Sequence, residues 1–180
     1  MHATVDELHA ESWPDAIYRV LKDADVRQAC YVPDAGHTRL INRLIADPDV
    51  ETTVLTTEEE GIPIAAGAWL GGQRTVLLMQ SSGVGNTINM LSLMATCRFP
   101  FLTIVTMRGE WAEFNPWQVP MGAATERSLE MMGVRCMRVE NAADVEETVS
   151  AAAALAYEAD QQIAVILSQR MLGRKKWVEK

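Results

Sequence analysis

Short, unbroken apolar runs recur along this chain at regular intervals, with segments of helical periodicity between them, and that alternation restricts the fold more than any other feature. Thr75-Val-Leu-Leu-Met79 and Phe101-Leu-Thr-Ile-Val105 carry no polar residue at every second position. A strand that is apolar on both faces must be covered on both faces, which is the condition of a parallel sheet between two helix layers. Strands are expected over 28–32, 52–56, 75–80, 101–106, 135–139 and 163–167, and helices over 38–46, 62–70, 86–96, 123–132 and 145–157. A further helical pattern spans 5–21, with Leu8, Ile17, Val20 and Leu21 on one face and a break expected at Pro14. The fold class is therefore α/β, a three-layer doubly wound sandwich around a six-stranded, mostly parallel sheet, with the site built by loops at the strands' carboxyl ends.

A chain of 180 residues fits one domain, expected over 1–170, followed by a basic tail at 171–180 that is either solvated or docks a partner. The formal net charge of −8 argues against a surface made for nucleic acid or anionic lipid. Cys30, Cys97 and Cys136 form no CxxC pair, and the first fifteen residues carry Asp6, Glu7, Glu11 and Asp15 instead of a basic start and an apolar run. No segment has the roughly 18 consecutive apolar residues of a membrane span. The expectation is a soluble cytoplasmic protein.

Several residues at expected strand exits can carry chemistry. Glu58, Glu59 and Glu60 open a helix, where the dipole favours carboxylates, yet three successive helical residues fan too widely for all to face water. Ser81-Ser82-Gly83-Val84-Gly85-Asn86 reads as a loop whose amides either cradle a phosphate or let a flat ring approach the backbone. The dinucleotide fingerprint fails at Ile88, no GxxxxGK[ST] occurs, and His2, His9 and His37 lack the spacing of a zinc site. Asp34 and His37 stand at the first strand's exit. Arg108 is either a partner for a substrate anion or half of a salt bridge with Glu110 or Glu113. The segment 107–121 is long for a compact domain, and Trp111, Phe114 and Trp117 mark it as a lid, a subunit contact or a cover over the sheet edge.

Tyr31-Val-Pro-Asp34, Thr57-Glu-Glu-Glu-Gly61 with Ala65-Ala-Gly67, Leu77 through Asn86, Arg108-Gly109 and Gln118-Val-Pro-Met-Gly122 together resemble the pyrimidine-binding domain of thiamine diphosphate enzymes. The resemblance is to sulfopyruvate decarboxylase alpha subunits first and phosphonopyruvate decarboxylases next. It implies that one glutamate bonds a ring nitrogen of the cofactor's aminopyrimidine and relays a proton, while the cofactor carries the chemistry on a 2-oxo acid. The family glutamate stands nine positions before the glycine ending Ala-Ala-Gly, and Gly67 minus nine is Glu58. The resemblance further implies Ser82, Gly83, Val84, Gly85 and Asn86 beside the cofactor, and Asp34, His37, Arg108 and Gln118 beside the substrate.

Phosphonopyruvate enzymes resemble Val-Pro-Asp-Ser at the first exit and carry a histidine in the long loop, where this chain has Ala35 and Gln118. The expected substrate is accordingly 3-sulfopyruvate, with another 2-oxo acid or a non-catalytic binding subunit as alternatives. No Gly here is followed by Asp, so the implied Mg2+ and diphosphate site, with its Gly-Asp-Gly motif, is expected on a separate beta subunit.

Overall fold

The computed structural model describes residues 12–174. Its centre is a six-stranded sheet, β1 Val26–Tyr31, β2 Glu51–Val54, β3 Arg74–Gln80, β4 Phe101–Thr106, β5 Arg135–Val139 and β6 Gln162–Leu167, in the order β2-β1-β3-β4-β6-β5. Every pairing is parallel. Successive side chains of the central strands enter opposite cores: Val76 and Leu78 join Leu102, Ile104, Ile163 and Val165 on one face, while Leu77 and Met79 join Phe101, Val105, Ala164 and Ile166 on the other.

The first core is covered by α1 Trp13–Asp23, α2 Thr38–Ile45 and α7 Val145–Tyr157. The second lies under α3 Gly61–Leu70, α4 Ser81–Thr87, α5 Leu91–Cys97 and α6 Val119–Met131. A four-residue α8, Gln169–Leu172, follows the last strand.

Local chemistry accounts for most departures from the expected boundaries. Pro14 does not break α1 but sits in its first turn, where a missing N–H is harmless. Ile17, Val20 and Leu21 form the buried face as expected, whereas Leu8 lies outside the described residues. The three glutamates form a separate 3-10 turn, Glu58–Glu60, before α3 begins at Gly61. The expected glycine loop at 81–86 is helix α4, and the single helix expected at 86–96 begins again as α5.

The Ser168 hydroxyl caps α8 by accepting from the Met171 amide at 3.2 Å, and Gln169 is buried. Residues 175–180, where most of the expected basic tail falls, lie outside the described residues.

From β1 the chain crosses to β2 on one side and returns to β3 on the other, so a crevice opens at the carboxyl ends of β1 and β3. Gly61 sets the depth to which α3 settles on β3. A Cβ there would lie 2.6 Å from Leu77 Cδ1 and 3.1 Å from Leu55 Cδ1, and both leucines are buried. Gly61→Val is expected to lower the unfolding free energy by about 1–3 kcal/mol through overpacking, read as a lower urea midpoint. An unchanged midpoint contradicts this packing.

Candidate functional site

The 3-10 turn leaves Glu58 buried at 8% exposure while Glu59 and Glu60 face outward. Glu60 folds back on the chain, accepting from the Thr56 amide at 2.9 Å and its hydroxyl at 2.7 Å, and these bonds hold its carboxyl below the usual range. Glu58 instead reaches α4. Its Oε2 accepts from Asn86 Nδ2 at 2.8 Å, and its side chain lies where a Cβ on Gly83 would have to be, with Glu58 Cγ at 2.6 Å from that point. Among the described residues no cation stands within ion-pair distance of this carboxylate. A buried carboxylate needs partners, and one amide leaves acceptor capacity unused.

The other members of the glycine segment separate by role. Val84 is fully buried in the core, and Gly85 faces Met121, whose Sδ would be 3.1 Å from a Cβ. Ser82 donates to Gln80 Oε1 at 2.9 Å. The segment is thus a helix approached closely by Glu58, not an open loop of phosphate-binding amides.

At the exit of β1, Asp34 accepts from Thr106 Oγ1 at 2.6 Å and Gln80 Nε2 at 2.9 Å. Burial pushes its carboxyl up, but the Thr106 bond, the Gln80 bond and the Gly36 amide together leave it below the usual range. Gly36 permits the approach, since a Cβ there would be 2.8 Å from Asp34 Oδ2 and 2.9 Å from Thr106 Cγ2. These groups line a cavity of about 160 Å3 with Trp13, Arg108 and Gln169.

His37 does not join them as a cation. It is 1% exposed, its Nε2 lies 3.1 Å from the Ile104 carbonyl, and its Nδ1 has no partner. Burial lowers its pKa against the opposing pull of Asp34 and the Ile104 and Met79 backbone, which keeps the ring neutral.

Arg108 reaches the cavity already paired. Its Nη2 and Nε donate to Glu113 at 2.5 and 2.6 Å, with side-chain exposures of 10% and 3%. Glu113 also accepts from the Gly109 and Asn115 amides and from Gln169 Nε2 at 2.8 Å. The Arg108 bonds foremost hold the Glu113 carboxyl well below the usual range.

Gln169 closes the loop over the strand ends. Its Oε1 accepts from the Glu110 and Trp111 amides at 3.0 and 2.9 Å, and its own amide donates to Glu110 at 2.8 Å. Arg138 then ties Glu110 to Glu126 and Glu140.

Gln118 ends a 3-10 turn, Pro116–Gln118, and its Oε1 is buried without a partner. Trp111, Phe114 and Val119 are about two-fifths exposed and Trp117 is 84% exposed, so this stretch carries much apolar surface. A cavity of about 630 Å3 runs between α1 and α7 past Arg74 and Glu158, away from Glu58, Asp34 and Arg108.

Gln80, Thr106 and Gln169 also join this site. Strand order brings them to Asp34 and Arg108, and only Gln80 lies within a motif named above.

The family described as thiamine pyrophosphate enzyme, N-terminal TPP binding domain, matches residues 13–114. The sulfopyruvate decarboxylase subunit alpha of Methanococcus maripaludis is 34% identical over 154 residues, 85% of this chain and 92% of that one. That of Methanocaldococcus jannaschii is 34% identical over 152 residues, 84% and 90% of the two chains. Phosphonopyruvate decarboxylase of Streptomyces viridochromogenes is 38% identical over 67% of this chain but only 31% of its own. Among solved structures, the 2-oxoglutarate:ferredoxin oxidoreductase of Magnetococcus marinus superposes with a TM-score of 0.74 at 15% identity, covering 92% of this chain and 31% of that one, and so shares the fold.

Because the folded carboxyl of Glu113 titrates below the unfolded one, its bonds stabilise the protein fully above about pH 4.3 and are lost as pH falls through the lower folded value. Glu113→Gln is expected to cost about 1–3 kcal/mol at pH 7. The gap from wild type should shrink as denaturation is followed below about pH 4.3. A gap that stays constant with pH contradicts the pairing.

Proposed function

This chain belongs to the thiamine pyrophosphate enzymes, in their N-terminal TPP-binding domain family, and on that premise we propose that it is the alpha subunit of a two-subunit 2-oxo acid decarboxylase converting 3-sulfopyruvate to sulfoacetaldehyde and carbon dioxide. The observation that carries the reading is Glu58, a buried carboxylate with no cation beside it among the described residues and with acceptor capacity left after the Asn86 bond. That donor set fits the cofactor's aminopyrimidine, which needs an acid-base partner and not a counter-charge. The similarity to sulfopyruvate decarboxylase alpha subunits, running over nearly the whole of both chains, supports the substrate.

When bound, thiamine diphosphate supplies the nucleophilic carbon and the electron sink for loss of carbon dioxide. Glu58 holds and returns one proton at a pyrimidine ring nitrogen. Asp34, fixed by Thr106 and Gln80, orients the 2-oxo acid in the adjoining cavity. At about 160 Å3 that cavity is below the ~300–1,000 Å3 of ordinary ligand pockets, which suits a small acid and not the whole cofactor. Arg108 offers the substrate its Nη1, which among the described residues takes no part in the Glu113 pair, while Glu113 already balances its charge. The loop clamped by Gln169 and Arg138 excludes water.

The diphosphate and Mg2+ belong, in this reading, to a beta subunit bearing Gly-Asp-Gly, and the exposed Trp111, Phe114 and Trp117 lie on the face that meets it. No helix among the described residues is long and apolar enough to cross a membrane, and we place the enzyme in the cytoplasm.

The chain alone is expected to be inactive. With its partner, Glu58→Gln should lower kcat on 3-sulfopyruvate by about 100-fold or more. Turnover by the isolated chain, or an unaffected Glu58→Gln complex, would overturn the reading, and a substrate panel led by another 2-oxo acid would reassign the substrate.

A further inference from the structure

Position 83 and position 86 stand three residues apart on α4, so they share one face of that helix. The first is a gap and the second is a donor. At 83 the missing Cβ leaves a recess filled by the Glu58 side chain: Oε1, Cδ and Cγ all lie closer than any real Cβ would tolerate. At 86 the amide nitrogen holds Oε2 at 2.8 Å. A free glutamate side chain gives up rotamer entropy when fixed in one pose. A hydrogen bond to a charged group is of the right size to offset this.

From this we infer that Gly83 and Asn86 are positioning residues that fix the Glu58 carboxylate, engaging Oε2 so that Oε1 is the oxygen that exchanges the proton with the cofactor. The inference deepens the proposed function and rests on it. Among the described residues Oε1 accepts no hydrogen bond, whereas Oε2 is engaged. As the proton moves, the Oε1–H bond breaks and the ring N–H bond forms, with no redox change. Asn86 keeps its own protons throughout. Its side chain would not contact the substrate, so its effect should fall on the proton-transfer step and not on substrate binding.

The test uses the complex assembled with the partner subunit and four variants, Asn86→Ala, Asn86→Asp, Gly83→Ala and Glu58→Gln. Five quantities are measured: the rate of deuterium exchange at the thiazolium carbon of bound thiamine diphosphate, kcat and KM for the 2-oxo acid, the cofactor Kd by calorimetry, and the melting temperature of each variant chain. Asn86→Asp keeps the shape and removes the donor, so a packing role would tolerate it and a positioning role would not.

Exchange and kcat are expected to fall about ten- to a hundredfold in both Asn86 variants. KM for the 2-oxo acid and cofactor Kd should stay within about threefold, and the melting temperature should hold, since Asn86 is on the surface. Gly83→Ala should match Glu58→Gln in exchange. Wild-type exchange in both Asn86 variants, with exchange abolished in Glu58→Gln, would overturn the inference and leave the proposed function intact. Wild-type exchange in Glu58→Gln would overturn both.

Discussion

The contact between the Glu58 side chain and the bare backbone of α4 is the constraint on which the rest of the site depends. It needs a 3-10 turn that aims one of three adjacent carboxylates inward, and a helix whose facing position has no side chain. The same short helix also anchors the second carboxylate, because Ser82 donates to Gln80 and Gln80 donates to Asp34. Its first residue, Ser81, accepts from the Arg108 amide at 3.0 Å and so fixes the start of the long loop. One seven-residue helix thereby ties together an acid-base group, a substrate-facing carboxylate and the loop beside them.

That loop illustrates how polar bonds replace a core where the chain leaves the sheet. Glu113 gathers donors from Arg108, Gly109, Asn115 and Gln169, and Gln169 in turn satisfies two loop amides. Buried polar groups of this kind cost free energy unless every one is paired, so the network specifies one loop shape. Trp111 and Phe114 are then about two-fifths exposed, with the Phe114 ring under the Arg108 guanidinium, and Trp117 is 84% exposed. A subunit that leaves such surface bare while holding an unfinished site is consistent with an enzyme divided between two chains.

The layered sheet was legible in the sequence because runs such as 101–105 are apolar on both faces, a pattern that few other folds accept. The helix at 81–87 was not, since Ser-Ser-Gly-Val-Gly has low local helix propensity and is held helical by what packs on it: Glu58 against Gly83 and Met121 against Gly85. A proline predicts a break, but Pro14 stands in the first turn of α1, where it starts the helix. Glu58 could be chosen from its neighbours only through the motif spacing of the resembling family, because charge alone does not tell which of three glutamates turns inward. His37 looked available from its place at a strand exit, but α2 buries it against the Ile104 carbonyl. Gln169 lies 56 residues from Glu113 in sequence and carried no signal at all.

A crystal structure of this chain with its partner subunit and thiamine diphosphate bears most directly on the central claim. The account predicts Glu58 Oε1 within hydrogen-bond distance of a pyrimidine ring nitrogen, Asn86 still on Oε2, and the diphosphate and its metal held by the other polypeptide. A Glu58 carboxylate turned into bulk solvent, or a diphosphate gripped by α4 of this chain, would contradict it.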